Sequence, residues 1–196
     1  MKKIIFGLLL LVAFGGTLSS CKEDSAIPAP AVESVPLVLP QITTGKDFFN
    51  ILAARAATNT NPTRPIFEFT LAPNQQRDLK LQTIEVYKSF RRGDLLGPRV
   101  KVGDYSSFPA TVSLTSTEAL KDLQRYTGTS LVSVIPPGGP DVTNILLSPN
   151  DAIVFTFEYI VEGGRRIVLT PVNSMNIPSG TQILAPYAAV AVFRNP

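Results

Sequence analysis

The stretch DAIVFTFEYIVEGGRRIVL, residues 151–169, carries the reading of the fold. Ile153, Phe155, Phe157, Tyr159 and Val161 recur at every second position, with Thr156 and Glu158 on the other side. A period of two is the mark of a β-strand. Glu162-Gly163-Gly164 interrupts the pattern, and Ile167 and Leu169 resume it. Two glycines between such runs supply the positive φ that a tight hairpin needs. The segment is predicted to be a hairpin with one apolar face.

The same alternation extends on both sides. Phe67, Phe69 and Leu71 fall opposite Glu68 and Thr70, and Ile84 and Val86 share a face inside LKLQTIEVYKSF. Arg99-Val100-Lys101-Val102 is a short alternating run, and Val112 and Leu114 alternate with Thr111, Ser113 and Thr115. A last strand is predicted over 187–193 and an extra one near 141–147, bringing the count to about seven or eight. Thr115-Ser116-Thr117-Glu118 fits a helix capping box, with Ala119, Leu120 and Leu123 as its apolar face and Gly128 as its stop. A second short helix is predicted within 47–57, where Phe48, Phe49, Leu52 and Ala56 lie close in helical phase. Pro136-Pro137-Gly138-Gly139-Pro140 is a loop, because its prolines lack ladder donors. Short strands, Pro- and Gly-rich turns and no regular βα alternation point to an all-β antiparallel sandwich. A fully buried Phe contributes about 1.5–3 kcal/mol, so Phe155 and Phe157 should be costly to truncate.

Before this domain lie three differently composed segments. Lys2 and Lys3 precede an apolar run from Ile4 to Leu18, and small residues follow. That is the layout of a secretory signal, and the run would make a helix of roughly 22 Å at ~1.5 Å per residue, short of a ~30 Å bilayer core. Residues 1–20 are therefore expected to be a removed signal peptide. Cys21 is the only cysteine, so no disulfide can form within the chain. Pro28, Pro30, Pro36 and Pro40 make residues 21–40 a tether, extended at ~3.1 Å per residue and reaching up to about 60 Å. Its apolar end, 35–39, has the alternative of docking as an edge strand. Residues 41–196 are read as the sandwich domain.

Composition excludes much chemistry. The chain has 18 basic and 15 acidic residues, and losing Lys2 and Lys3 with the leader leaves 16 against 15. Nothing resembles a nucleic-acid patch, since Arg91-Arg92 and Arg165-Arg166 are isolated pairs. There is no histidine and no tryptophan. Ser-His and Cys-His nucleophilic machinery, and zinc, copper or iron sites built on His or Cys, cannot be assembled. No cofactor and no metal are expected, and the chain is read as a non-enzyme.

Leu18-Ser19-Ser20-Cys21 resembles the lipobox of bacterial lipoproteins, in which the cysteine sulfur receives a diacylglyceryl group. Lys22-Glu23-Asp24 resembles the acidic export signal of Bacteroidetes-type surface lipoproteins, and Asp24-Ser25-Ala26 resembles their O-glycosylation signal, which implies a glycan on Ser25. Together with TIEVYKSF (83–90), FPATVSL (108–114) and the 151–169 hairpin, the chain resembles the immunoglobulin-like domains of such lipoproteins. Some accompany outer-membrane uptake systems of the starch-utilisation type. The resemblance implies an immunoglobulin-like sandwich, lipid-anchored in the outer membrane and facing the cell exterior. It further implies a non-catalytic binding or scaffolding role beside a nutrient (glycan) uptake complex, with that complex or a polysaccharide as partner. The alternatives are a structural or adhesive envelope protein without a soluble ligand, and a carboxylate-dependent glycoside hydrolase.

Candidate sites outside the anchor are few. Arg99, Asp104, Tyr105 and Phe108, around a glycine-containing turn, offer aromatic and polar groups for a ligand, although the two rings also suit the edge of the core. Arg92-Gly93-Asp94 spells an adhesion tripeptide and equally a strand end entering a turn. Asp141, Thr143, Asn144, Asn150 and Asp151 carry oxygen ligands without calcium-loop spacing and fit ordinary Asx turns. Glu68, Glu85, Glu158 and Glu162 could form an acid–base pair if two lay ~5–10 Å apart, but read more simply as outward glutamates on a solvated sheet.

Overall fold

The computed structural model describes residues 33–55, 66–74, 78–135 and 147–195. These belong to one compact unit, Glu33–Pro196. The predicted leader, Cys21, Lys22, Glu23, Asp24 and Ser25 lie outside the described residues, as do 136–146 with all but the last residue of the strand expected over 141–147.

The elements run β1 (Val38–Ile42), β2 (Phe48–Asn50), α1 (Ile51–Arg55), β3 (Ile66–Pro73), β4 (Leu81–Arg92), β5 (Leu95–Leu96), β6 (Val100–Tyr105) and β7 (Ala110–Thr115). They continue α2 (Ser116–Leu120), β8 (Gln124–Thr127), β9 (Ser130–Ser133), β10 (Ala152–Val161), β11 (Arg166–Val168) and β12 (Ala189–Arg194). The protein is an all-β sandwich. Seven of the strands, β1, β3, β4, β6, β7, β10 and β12, run five residues or more. One sheet has the order β1-β3-β7; the other has the order β2-β12-β10-β4-β5, with β11 added on β10 and β6 on β4. β8 and β9 form a separate hairpin. The pairing is antiparallel as expected except for β2, which runs parallel to β12.

Alternation places the aromatic rings where the two sheets meet. Phe67 of β3 stacks on Phe155 of β10 at 5.6 Å and 7°, and Phe69 packs on Phe155 and Phe157 at 5.3 and 6.0 Å. Phe49 stacks on Phe193 at 5.2 Å. Ile84, Val86, Val112 and Leu71 complete the same core. The predicted hairpin is present, with Ile160 opposite Arg166 and positive φ at Gly163 (78°) and Gly164 (75°).

The expectation for β10 differs on its second face. Thr156 and Glu158 share the face opposite the apolar one, as expected, but the solvated position expected for Glu158 is not found, and both are 1% exposed. The reason is cover on the outer side of the larger sheet. Val154 packs there with Leu96 and Ala188 against Ile177, Ile183 and Val190.

Other local readings shift for identifiable reasons. The capping box at α2 forms, with the Thr115 hydroxyl accepting from Glu118 N–H and the Glu118 carboxylate accepting from Thr115 N–H. The helix ends well before Gly128, because Lys121 is extended and Asp122 is left-handed at φ 63°. Gly128, at φ 61°, instead turns the β8–β9 hairpin. In 47–57 the sequence first pairs as β2, and the helix starts only where Asn50 Oδ1 accepts from Leu52 N–H at 3.0 Å. The end of the tether docks from Val38 onward as β1, since Val38 is 2% exposed and exchanges hydrogen bonds with the Tyr159 hydroxyl. Burial pushes that phenol up to about 12. Gly97 lies against the β8 backbone so closely that a Cβ there would stand 2.0 Å from the Gln124 carbonyl oxygen.

Truncating Phe155 to Ala should lower stability by about 3–5 kcal/mol, because a ring packed on two others leaves a cavity that cannot collapse. Urea unfolding that gave under 1 kcal/mol, with an unchanged slope, would contradict this packing.

Candidate functional site

Register, more than motif, builds the most concentrated polar site among the described residues. Glu85 of β4 and Glu158 of β10 are direct cross-strand partners on the outer face of the larger sheet. Residues so paired have Cα atoms roughly 4.5–5.5 Å apart, and two like charges there repel. Three cations answer them. Arg166 of β11 donates to Glu85 through Nη1 and Nη2 and to Glu158 Oε2 at 2.5 Å. Arg99 donates to Glu158 Oε1, and its guanidinium lies 4.2 Å from the Tyr87 ring centroid. Lys101 Nζ reaches Glu85 Oε1 at 3.0 Å and Asp104 at 2.7 Å. The Tyr87 hydroxyl donates to Glu85 Oε2 at 2.9 Å.

The electrostatics follow from these contacts. Hydrogen bonds from Arg166 hold the Glu85 carboxyl down to about 2, assisted by Lys101 and Tyr87 and opposed by burial. Lys101 and Arg166 are both held more firmly protonated, Lys101 first by Asp104 and Arg166 first by Glu85. A glycosidase acid must keep a proton near neutral pH. Glu85 is ionised there, and both Glu158 oxygens are taken by arginine. Although the two carboxyl groups are near neighbours, their arrangement is that of an ion-pair network. The reading of these glutamates as solvated outward residues is corrected, because Arg99, Lys101 and Arg166 cover them. Glu68 stands apart on β3, paired with Lys46 at 2.7 Å, and Glu162 sits exposed at the hairpin tip.

The four residues read as a ligand cluster are divided by strand alternation. Arg99 and Asp104 join the charge network, whereas Tyr105 and Phe108 pack against the core. Burial raises the Tyr105 phenol. Gly103 lies within β6 and not in a turn. Phe108 lines an apolar cleft of about 490 Å³ with Pro36, Pro73, Leu79, Leu81 and Pro109. Arg92 of the adhesion tripeptide is committed elsewhere, its Nε and Nη2 donating to the Asp151 carboxylate at 2.8 and 2.6 Å. Asp151 also accepts from Ser148 N–H at 2.6 Å and donates its own N–H to the Ser148 carbonyl at 3.1 Å, so its carboxylate closes the 148–151 turn by reaching back, where an Asx turn would reach forward. Asp141, Thr143 and Asn144 lie outside the described residues.

Sequence reasoning did not find Arg166, Lys101 or the partnership of Glu85 with Glu158. One signal was available: a tight turn at Gly163-Gly164 puts Arg166 diagonal to Glu158 across the hairpin. Lys88 was also missed. It points inward from β4 with 6% exposure and donates to the Glu118 carbonyl in the middle of α2 at 2.6 Å. Burial brings its ammonium down to about 8.

No protein-family model matches the chain, and no curated protein matches it either. The site's meaning therefore rests on its own geometry.

Because the folded Glu85 carboxyl sits below its ordinary 4.5, its contribution is complete above pH 4.5 and is lost as pH falls toward about 2. An Arg166→Met variant should be less stable at pH 7 by about 1–3 kcal/mol, the lower range reflecting a half-exposed arginine. It should also lose less stability between pH 4.5 and 2 than the parent, measured by urea unfolding across a pH series. Equal acid sensitivity in the two proteins would contradict the role given to Arg166.

Proposed function

We propose that the chain is a surface lipoprotein, anchored in the outer membrane through lipid on Cys21. Its sandwich is a non-catalytic binding or scaffolding module beside an outer-membrane nutrient-uptake complex. The observation that carries this reading is Leu18-Ser19-Ser20-Cys21, with the chain's sole cysteine at the position a lipobox requires. One acyl chain gives only marginal binding at ~0.8 kcal/mol per buried CH₂, so the diacylglyceryl group supplies the second chain that lasting attachment needs. Lys22-Glu23-Asp24 directly after it supports export to the outer face.

The non-catalytic part rests on two further points. The chain has no histidine. The cross-strand carboxylates Glu85 and Glu158 are occupied by Arg166, Arg99 and Lys101. No described helix is long and apolar enough to cross a membrane. Adhesion through Arg92-Gly93-Asp94 gains no support, because Arg92 is clamped by the buried Asp151.

Cells fed an alkyne fatty acid should yield a labelled protein, and Cys21→Ser should abolish the label and release the chain from the envelope. An unlabelled parent, or a Cys21→Ser form that stays bound equally well, would remove the basis for the anchor. Retardation of the purified protein in gels containing a polysaccharide would favour binding. Unchanged migration across a polysaccharide panel would favour scaffolding.

A further inference from the structure

After β11 the chain leaves the larger sheet and does not rejoin it until β12. Over 171–188 its backbone bonds close largely on the segment itself. Asn176 N–H donates to the Asn173 carbonyl at 3.0 Å, Asn173 N–H to the Ile177 carbonyl at 3.1 Å, and Ser179 N–H to the Pro171 carbonyl at 2.9 Å. Of these residues only Pro178 and Ala188 are buried, while Met175, Leu184 and Tyr187 are each about half exposed. Segments with few buried apolar contacts are the ones that open before the rest of a protein.

The joint with the sheet is narrow. Arg99 N–H donates to the Asn176 carbonyl at 2.9 Å, Arg99 Nε to Asn176 Oδ1 at 2.8 Å, and Asn176 Nδ2 to the Arg99 carbonyl at 3.1 Å. Ile177, Ile183 and Ala188 rest on Val154 and Leu96. The Tyr126 hydroxyl reaches Met175 Sδ at 3.9 Å. A crevice of about 160 Å³ runs between Gln182 and Tyr187 on one side and Phe157, Tyr159 and Leu169 on the other.

Two side chains on the covered face bear a cost for this closure. Ser89 Oγ and Thr156 Oγ1 are buried without a hydrogen-bond partner. Ser89 is the cross-strand neighbour of Val154, and Thr156 is the next residue of β10 on that face. A hydroxyl withdrawn from water with nothing in exchange destabilises the closed state, and exposing it returns what was lost.

We propose that residues 171–188 are a strap that lifts as a unit, well below global unfolding, and bares Val154 with the neighbouring Ser89 and Thr156 hydroxyls on the outer face of β4 and β10. Lifting breaks the Arg99–Asn176 joint, gives up little apolar contact and rehydrates two hydroxyls. The strap thereby controls access to a face of the sheet that the closed molecule hides. This inference stands whether or not Cys21 carries lipid.

NMR-detected amide exchange on the exported chain tests it. The Arg99 amide spans the joint and reports lifting directly, whereas the Asn176 and Ser179 amides are bonded within the segment and need not open as it lifts. The Arg99 amide should exchange roughly 100-fold or more faster than those of β4 and β10. Asn176→Ala should speed the Arg99 amide and leave the core amides unchanged. Thr156→Val should slow the Arg99 amide and the core amides alike, by about 5–30-fold, since both motions expose that hydroxyl. An Arg99 amide as protected as those of β10 would overturn the proposal. So would a Thr156→Val variant that slows the core and leaves the Arg99 rate untouched.

Discussion

Strand β10 is covered on both faces, and the rest of the structure is arranged to make that possible. Its inner face carries Phe155 and Phe157 into the aromatic core, where Phe67 and Phe69 meet them from the opposite sheet. Its outer face carries Val154, Thr156 and Glu158, all 1% exposed or less. An apolar face is covered at a profit by another sheet. A face bearing a carboxylate can be covered only if cations are supplied, and Arg99 and Arg166 are the means, with Asn176 holding Arg99 in place.

The ion-pair network is best understood through register. Shifting β10 against β4 by one residue would turn every side chain to the opposite face. Glu158 would then point into the phenylalanine cluster, away from Arg166 and Arg99. A buried network of this kind adds little net stability over well-packed apolar residues. Its value here lies in making the wrong pairings far worse than the right one. Glu85, Glu158, Arg166 and Lys101 come from four different strands, so the network is complete only when β4, β6, β10 and β11 are all in place.

How much was legible in the sequence follows the same division. Inner faces were readable, because alternation in 67–71, 84–86, 110–114 and 153–161 reports directly on which side is apolar. The Gly163-Gly164 hairpin and the Thr115 capping box were readable because their chemistry is local. Outer-face burial was not, since a glutamate looks identical in sequence whether water or an arginine sixty or eighty residues away satisfies it. The ligand cluster proposed around Arg99, Asp104, Tyr105 and Phe108 divides for a related reason: neighbours in a strand belong to opposite faces. The β2–β12 pairing joins the two ends of the domain, and nothing in a window of ten residues records that. For the proposed anchor the position is reversed. Its signal is entirely local, in residues 18–24, and owes nothing to the fold.

The close approach at Gly97 has an evolutionary corollary. Every side chain other than hydrogen would drive its first carbon into the Gln124 carbonyl, a backbone atom that cannot rotate aside. Position 97 therefore records the β8–β9 hairpin in a single letter. Among distant homologues too divergent to align elsewhere, those that keep glycine at this spot can retain the hairpin's seat against β5, and those that have replaced it must have moved or discarded that appendage.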